Sequence, residues 1–398
     1  MRDWAFLHGG FLHDIFTRLP ADADATSFRH ACRGWRAVAE PGALVPGPWF
    51  LLRSAAAAAN SRRAFVRPAG PRRVTPVRLN PTARGDEATP CASRGWLAVS
   101  DGKRLFLRDP ISLAEVPLPA FDDLDNELSE IFLSDDPLDV PAGRWTAFAF
   151  FKPKQIVAYP GRVLAFYRPG GGADQWVRFD LNGQQVAFYW GLEFFRGRAY
   201  VVVGVNCTLA VCDVDTRSLV ASAVHLRPHM EHWEWRTQQC LVECGGDLLA
   251  VMVTRYEVAR WPSCYVVARR RAPRFVVKVM KVMFAADSGG FMPVMVSDVR
   301  HIGDYALFVP PRGHAFALPA SGFPAVRSGC VYHFATKVNE QNVVRGMAIS
   351  DLLDLTGQES NTCRKLPLAG KWHPVSWLWP RRPSFDGTPG RRRRQWRS

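Results

Sequence analysis

From residue 91 onward the chain is a succession of short β-type runs broken by turn residues, and this rhythm restricts the fold more than any other feature. The run 95–99 is followed by Asp101-Gly102 and then by 105–107, the pattern of a hairpin with its turn. Similar units recur at 156–159 and 163–167 around Pro160-Gly161, at 199–203 and 209–214, and at 240–243 and 248–253 around Gly245-Gly246. Further runs stand at 275–282, 305–309 and 331–334. Strands spaced in this way build an all-β sandwich, barrel or propeller. Length separates these. A propeller blade uses about 40–50 residues, so the stretch 91–380 has room for six or seven. Fourteen Trp and twenty-five Phe supply flat side chains suited to packing between sheets.

The first forty residues follow another period. Leu12, Ile15, Phe16 and Leu19 fall at i, i+3, i+4 and i+7, one face of a helix. Pro20 ends it, because the residue before proline avoids the α region. Asp22 or Asp24 can cap a second helix carrying Phe28, Cys32 and Trp35, which Pro41 and Gly42 stop. Two helices this short cannot hide both apolar faces alone, so some of that surface should meet a partner. Phe28, Cys32 and Trp35 either join that contact or hold the two helices together. The expected organisation is a helical domain over 1–42, a connection over 43–90 with a first strand near 48–52, a β domain over 91–380 and a basic disordered tail over 381–398.

Composition narrows the setting. Hydrophobic residues make up 47% and charged residues 22%, the balance of a globular protein with ample core. Asp3, His8, His13 and Asp14 interrupt any signal-peptide core, and no apolar run is long enough to span a membrane. Nine scattered cysteines, an odd number, read as small buried hydrophobes in a reducing compartment, hence the cytosol or nucleus. The net charge is +15, but seven arginines and one aspartate in 381–398 place +6 in the tail and leave +9 elsewhere. The tail reads as a solvated segment or an import signal. The body is too weakly basic to make nucleic acid an expected partner.

Reactive constellations are scarce. His225, His229 and His232 have near-helical spacing for a metal, but Pro228 opposes the helix, and no metal is expected. Cys207 and Cys212 read as core. The acidic stretch 121–140 reads as a solvated loop with a short helix and lacks the order of a calcium loop. Trp233 and Trp235 read as packing. No nucleophile elbow, phosphate loop, dinucleotide fingerprint or zinc-protease motif occurs. No catalytic residue and no cofactor are therefore expected, although a carboxylate dyad stays open until side chains are placed.

Residues 4–40 resemble the F-box: Leu7, Leu12, Ile15, Leu19-Pro20, Cys32, Trp35 and Arg36 stand where that family has its Leu-Pro start, Leu-x-x-Ile helix, Leu-Pro turn and Cys-x-x-Trp-Arg close. His8 replaces the opening proline. The remainder resembles the KIB-type β-propeller attached to F-boxes in plants, through GPWFLL (47–52), RGWLAVSDGKRLFLRDPISLAEVPLP (94–119), FFRGRAYVV (194–202), CLVECGGDLLAVM (240–252), IGDYALFV (302–309), RSGCVYHF (327–334) and WLWP (377–380), in that order. The resemblance implies an α+β multidomain chain: a small all-α F-box followed by a mainly-β propeller. It also implies the substrate-recognition subunit of an SCF-type ubiquitin ligase, non-catalytic itself. The F-box would dock on a Skp-type adaptor and cullin complex, and the propeller would bind a target protein of unknown identity. Leu7, His8, Leu12, Ile15, Phe16, Leu19, Pro20, Cys32, Trp35 and Arg36 would form the adaptor surface, with Leu12, Ile15 and Phe16 as anchors and His8 weakening the contact. The alternative is an adaptor-independent propeller scaffold with a degenerate F-box.

Overall fold

The computed structural model describes residues 7–19, 28, 31, 35, 38, 48–54, 63–68, 74–77, 88–100, 104–110, 114–121, 126–153, 161–171, 174–179, 188–226, 237–256, 274–285, 290–311, 313–323, 326–336, 344–351 and 372–379. One α-helix is outlined end to end among them, α1 (Gly9–Thr17). Its N-cap is His8, whose Nδ1 accepts a hydrogen bond from the Gly10 amide at 3.2 Å. His8 thus satisfies one of the free amides of the first turn.

The β chain forms six four-stranded sheets. The first contains β1 (Trp49–Ser54), β2 (Arg63–Pro68) and β3 (Val74–Val77). The second runs through β4 (Ala88–Ser93), β5 (Trp96–Ser100), β6 (Leu105–Arg108) and β7 (Glu115–Leu118). The third holds β8 (Asn126–Leu133), β9 (Ala147–Pro153), β10 (Val163–Tyr167) and β11 (Val177–Arg178). The fourth is β12 (Tyr189–Phe195), β13 (Arg198–Val203), β14 (Thr208–Asp213) and β15 (Ser218–His225). The fifth is β16 (Thr237–Cys244), β17 (Asp247–Tyr256), β18 (Arg274–Phe284) and β19 (Pro293–Asp298). The sixth comprises β20 (Tyr305–Phe308), β21 (Phe316–Pro319), β22 (Cys330–Thr336) and β23 (Val344–Asp351). The last strand, β24 (Trp372–Leu378), returns to pair antiparallel with β1 and closes the first sheet from the other end of the chain.

Apolar cores lie between successive sheets and carry the ring round. Trp49, Leu51, Val99 and Phe106 join the first sheet to the second. Trp96, Leu107, Ile131 and Ala149 join the second to the third, and Phe148, Phe179, Leu192 and Val201 the third to the fourth. Val202, Leu209, Leu248 and Met280 lie between the fourth and fifth, and Val251, Val279, Leu307 and Val331 between the fifth and sixth. Phe308, Tyr332 and Trp377 return to the first. Each sheet is therefore buried on both faces, which explains why its strands read as continuous apolar runs and not as alternating ones.

Two expectations need correction. The first five sheets are all-antiparallel, whereas the sixth has the order β21-β20-β22-β23, with β20 parallel to β22 at Leu307–Val331 and Phe308–Tyr332. The structure thus has five regular blades and one sheet of different order, not six or seven regular blades. Strand spacing reports how many strands exist, not the order in which they pair. The expected all-α domain is likewise not seen: α1 is the one helix outlined, and the second helix falls on residues of which only Phe28, Ala31, Trp35 and Val38 are described. The stretch 43–90, read as a connection with a first strand near 48–52, has a strand there, β1, and also supplies β2 and β3. Pro76 lies in β3, the edge strand, where a missing amide costs no ladder bond.

The turns explain the regularity. Gly245 and Gly246, at φ +60° and +84°, join β16 to β17 through the Cys244–Asp247 pair, the two-residue turn that needs positive φ at both positions. Arg94-Gly95 and Arg196-Gly197 make the same turn between β4 and β5 and between β12 and β13. Gly191 is needed for a different reason. A Cβ there would lie 2.9 Å from the Cα of Cys240, because β12 runs directly against the backbone of β16. Gly191→Ala is expected to destabilise the fold by about 1–3 kcal/mol, the usual cost of overpacking, read as a lower urea midpoint at unchanged m-value. Gly322→Ala, which meets nothing within 4 Å, should leave the midpoint in place.

Candidate functional site: a cavity lined by all six sheets

A cavity of about 300 Å³ draws its lining from all six sheets or the residues just after their strands. Ser93 and the Arg94-Gly95 turn come from the second sheet, and Asp136 and Asp139 follow β8 of the third. Glu193 and Phe194 come from β12, Glu243 from β16, His314 to Ala317 from the start of β21, and Trp377 and Leu378 from β24, with Trp379 just beyond.

Its floor is a buried polar chain. The Leu133 amide donates to Ser93 Oγ at 2.9 Å, and Ser93 Oγ lies 2.8 Å from His314 Nδ1. His314 Nε2 is 3.0 Å from both carboxylate oxygens of Glu193. A carboxylate only accepts, so Nε2 carries the hydrogen; in the neutral imidazole Nδ1 is then the acceptor and Ser93 the donor. Glu193 also accepts from its neighbouring Phe194 amide at 2.8 Å and from the Glu243 amide at 3.4 Å. A second buried carboxylate, Glu130, accepts from the Gly313 amide at 2.8 Å and from Arg162 Nη1 at 2.6 Å. Three sheets thereby grip the short segment that leads into β21. Ser, His and Glu in line have the contacts of a nucleophile relay. Here Ser93 is 2% exposed and both Glu193 oxygens are engaged, so the arrangement serves as a clasp.

The rim differs. Glu243 and Arg94 are exposed, and Asp136 and Asp139 are half-buried. Arg94 Nε donates to the Leu133 carbonyl at 2.8 Å. Phe316 and Trp379 stack 5.8 Å apart and form an aromatic wall.

The residues expected to dock an adaptor are placed as follows. Leu12 and Phe16 are each 2% exposed and pack with Phe28, with Leu7, Leu19, Trp35 and Val38 around them. The rings of Phe16 and Phe28 lie 5.4 Å apart, and those of Phe28 and Trp35 4.6 Å apart. Phe28 and Trp35 thus hold this small core together, and Leu12 and Phe16 are its interior. The exposed apolar side of α1 is formed by Phe11 (63% exposed) and Ile15 (37%), with His8 one turn earlier. Leu7 and Leu19 are half-buried; Pro20, Cys32 and Arg36 lie outside the described residues.

Other candidates resolve simply. His225 is exposed and paired with Thr208 Oγ1 at 2.9 Å, while His229, His232, Trp233 and Trp235 lie outside the described residues. No group of three metal-ligating side chains occurs among the described residues. Cys207 and Cys212 are buried in different cores, and burial raises the Cys212 and Cys240 thiols well above their ordinary range. Burial, with Glu243 and Asp247 nearby, pushes Cys244 up to about 12. The acidic stretch 121–140 is not merely a solvated loop: Glu130 lies inside β8, and Asp136 and Asp139 line the cavity. The sequence reading missed Glu193 and His314. A lone carboxylate within the apolar run 191–195 was the available signal for Glu193. No helix among the described residues is long and apolar enough to cross a membrane.

A closed ring of four-stranded sheets around a central cavity defines a β-propeller protein. The chain belongs to the KIB1-4 beta-propeller family, whose description matches residues 67–351. Among curated proteins none matches. Among solved structures, the chain is similar to the GH43 protein BlXynB from Bacillus licheniformis, with 9% identity and a TM-score of 0.30 over 82% of this chain and 57% of that one. It is also similar to the major allergen Mala s 1 of Malassezia sympodialis, with 10% identity and a TM-score of 0.26 over 73% of this chain and 92% of that one. The chain therefore spans 57% of the length of the GH43 protein.

Proposed function

We propose that this chain is the target-recognition subunit of an SCF-type ubiquitin ligase, with α1 gripping a Skp-type adaptor and the propeller holding a target protein. The reading is carried by the exposed side of α1. Phe11 and Ile15 stand one turn apart and leave an apolar ridge in water, while Leu12 and Phe16 are spent on the internal core. Such a ridge fits a groove on a partner. The anchors are accordingly Phe11 and Ile15, not Leu12 and Phe16. The chain contributes proximity: with adaptor and target on one molecule, a target lysine is held near the charged conjugating enzyme at high effective concentration. Ubiquitin transfer itself requires no residue of this chain, and the site of action implied is the cytosol or nucleus.

The test is retention of the full chain on immobilised Skp-type adaptor. Wild type is expected to bind, and Ile15→Asp to bind at least tenfold more weakly, since a charge would have to be desolvated at the contact. Ile15 is partly exposed in the free chain, so its thermal midpoint should stay within the small range of surface substitutions. Failure of the wild type to bind would favour the adaptor-independent scaffold.

A further inference from the structure

We propose that the surface between the fourth and fifth sheets, where Arg196 and Arg198 stand, grips an acidic segment of the target protein; this rests on the reading of the propeller as the target-binding domain. Arg196 belongs to the turn between β12 and β13, Arg198 opens β13, and both are exposed. Each guanidinium is backed by aromatic rings. That of Arg196 lies 4.9 Å from the centroid of Phe195 and 5.7 Å from that of Phe284. That of Arg198 lies 4.1 Å from the centroid of Phe291. A ring takes up the flat face of a guanidinium and leaves the N–H edge for another partner. Here that edge is unused: among the described residues, neither Arg196 nor Arg198 has a hydrogen bond or an ion pair. Asp213, at the facing end of β14, pairs with neither; its Oδ1 accepts from the amides of Asp215 and Thr216 at 3.0 and 3.1 Å.

The rings are a fixed support. Phe195 and Phe284 stack with centroids 5.3 Å apart and join β12 to β18, and Tyr200 meets Phe284 edge-on at 5.5 Å. The Tyr200 hydroxyl donates to the Phe291 carbonyl at 2.8 Å, which ties β13 to the segment leading into β19. Two long side chains are therefore ordered before a partner arrives, and the entropy cost of binding through them falls. The turn itself does not account for Arg196. Its φ of +49° is at the first position of a two-residue turn, where asparagine or glycine is the favoured residue. Each guanidinium fork matches one carboxylate in a bidentate contact, so the occupant is a segment bearing two carboxylates. Carboxylates two residues apart in an extended segment project to one side and reach both arginines together.

The experiment uses the full chain and immobilised seven-residue peptide libraries, random except for Glu at the third and fifth positions, or Gln at both. Net charge alone favours the Glu library, since the chain carries +15, so the variants decide. Arg196→Gln with Arg198→Gln should cut the preference for Glu at least fivefold. Arg144→Gln with Arg300→Gln removes the same charge from two other exposed arginines and should leave the preference within twofold. Arg196→Lys with Arg198→Lys keeps both charges but loses the fork, and should still cut the preference at least threefold. The lysine pair also decides the matter if loss of the ring contacts unfolds the glutamine pair. No Glu preference in the wild type, an equal loss in the Arg144 and Arg300 control, or a lysine pair that binds like the wild type would overturn the proposal. So would a random single-stranded oligonucleotide that displaces the protein from the Glu library at lower concentration than the soluble Glu peptides do, for the arginines would then serve phosphates. Ile15→Asp keeps the two readings apart, because it should abolish adaptor retention and leave the peptide preference intact. Adaptor binding without any arginine-dependent preference would remove this inference alone. Such a preference without adaptor binding would leave the arginine pair assigned and remove the ligase reading.

Discussion

Glu193→Ala should lower the unfolding free energy by about 3–5 kcal/mol, the range seen when one partner of a buried polar pair is deleted. The size follows from how many groups depend on one side chain. His314 Nε2 loses both oxygens at 3.0 Å, and the amides of Phe194 and Glu243 lose their acceptor. The His314 contact is buried, so its loss carries a desolvation cost of about 1–3 kcal/mol and not the smaller net value of an exposed bond, and the part-buried amides of Phe194 and Glu243 add to it. Glu193→Gln should cost less, because its remaining carbonyl oxygen can still serve one donor. Urea unfolding of Glu193→Ala, His314→Ala and the double variant checks the argument. Deleting both partners should cost clearly less than the two single losses added together, since the second deletion removes a group already orphaned by the first. A Glu193→Ala loss under about 1 kcal/mol, with additive effects, would mean that the clasp is not a unit.

The parts of this fold that the sequence displays are those encoded locally. Arg94-Gly95, Arg196-Gly197 and Gly245-Gly246 are adjacent residues that fix a turn, so the hairpins they close follow from the local sequence. The β5–β6 pairing expected on either side of Asp101-Gly102 is present, with Ser100 opposite Leu105. Relations between distant segments are not encoded in this way. Nothing near 305–308 or 330–336 signals that these strands run parallel with β21 on the far side. Prolines in 43–90 read as a linker, yet Pro76 is tolerated because β3 happens to be an edge. On α1 the apolar residues 11, 12, 15 and 16 cover two adjoining stripes, and periodicity alone does not tell which stripe faces Phe28. The cavity was the least legible feature. Ser93, Glu193 and His314 are 221 residues apart at the extremes and meet only when the ring closes.

Acid should weaken the fold through His333, which lies in β22 and is fully enclosed. Burial holds its pKa down at about 4, while a hydrogen bond to the Phe334 backbone pulls the other way. The unfolded chain keeps the ordinary value of 6.5. The sign follows from proton counting. Above pH 6.5 the imidazole is neutral in both states, and the fold has its full stability. Between pH 6.5 and about 4 the unfolded chain binds a proton that the folded chain refuses, so stability falls with pH. Below about 4 both states are protonated, and this residue adds no further loss. The shift corresponds to roughly 3 kcal/mol across that window. Asp213, whose carboxylate is held below its ordinary range by the Thr216 amide, acts only at lower pH, so the two contributions separate. The measurement is urea unfolding of wild type and His333→Leu from pH 7.5 to 4.5. Leucine keeps an apolar side chain in place and cannot titrate, so the variant should lose about 2–3 kcal/mol less than the wild type over that span. Parallel pH curves for the two proteins would show that the buried imidazole is not what acid attacks.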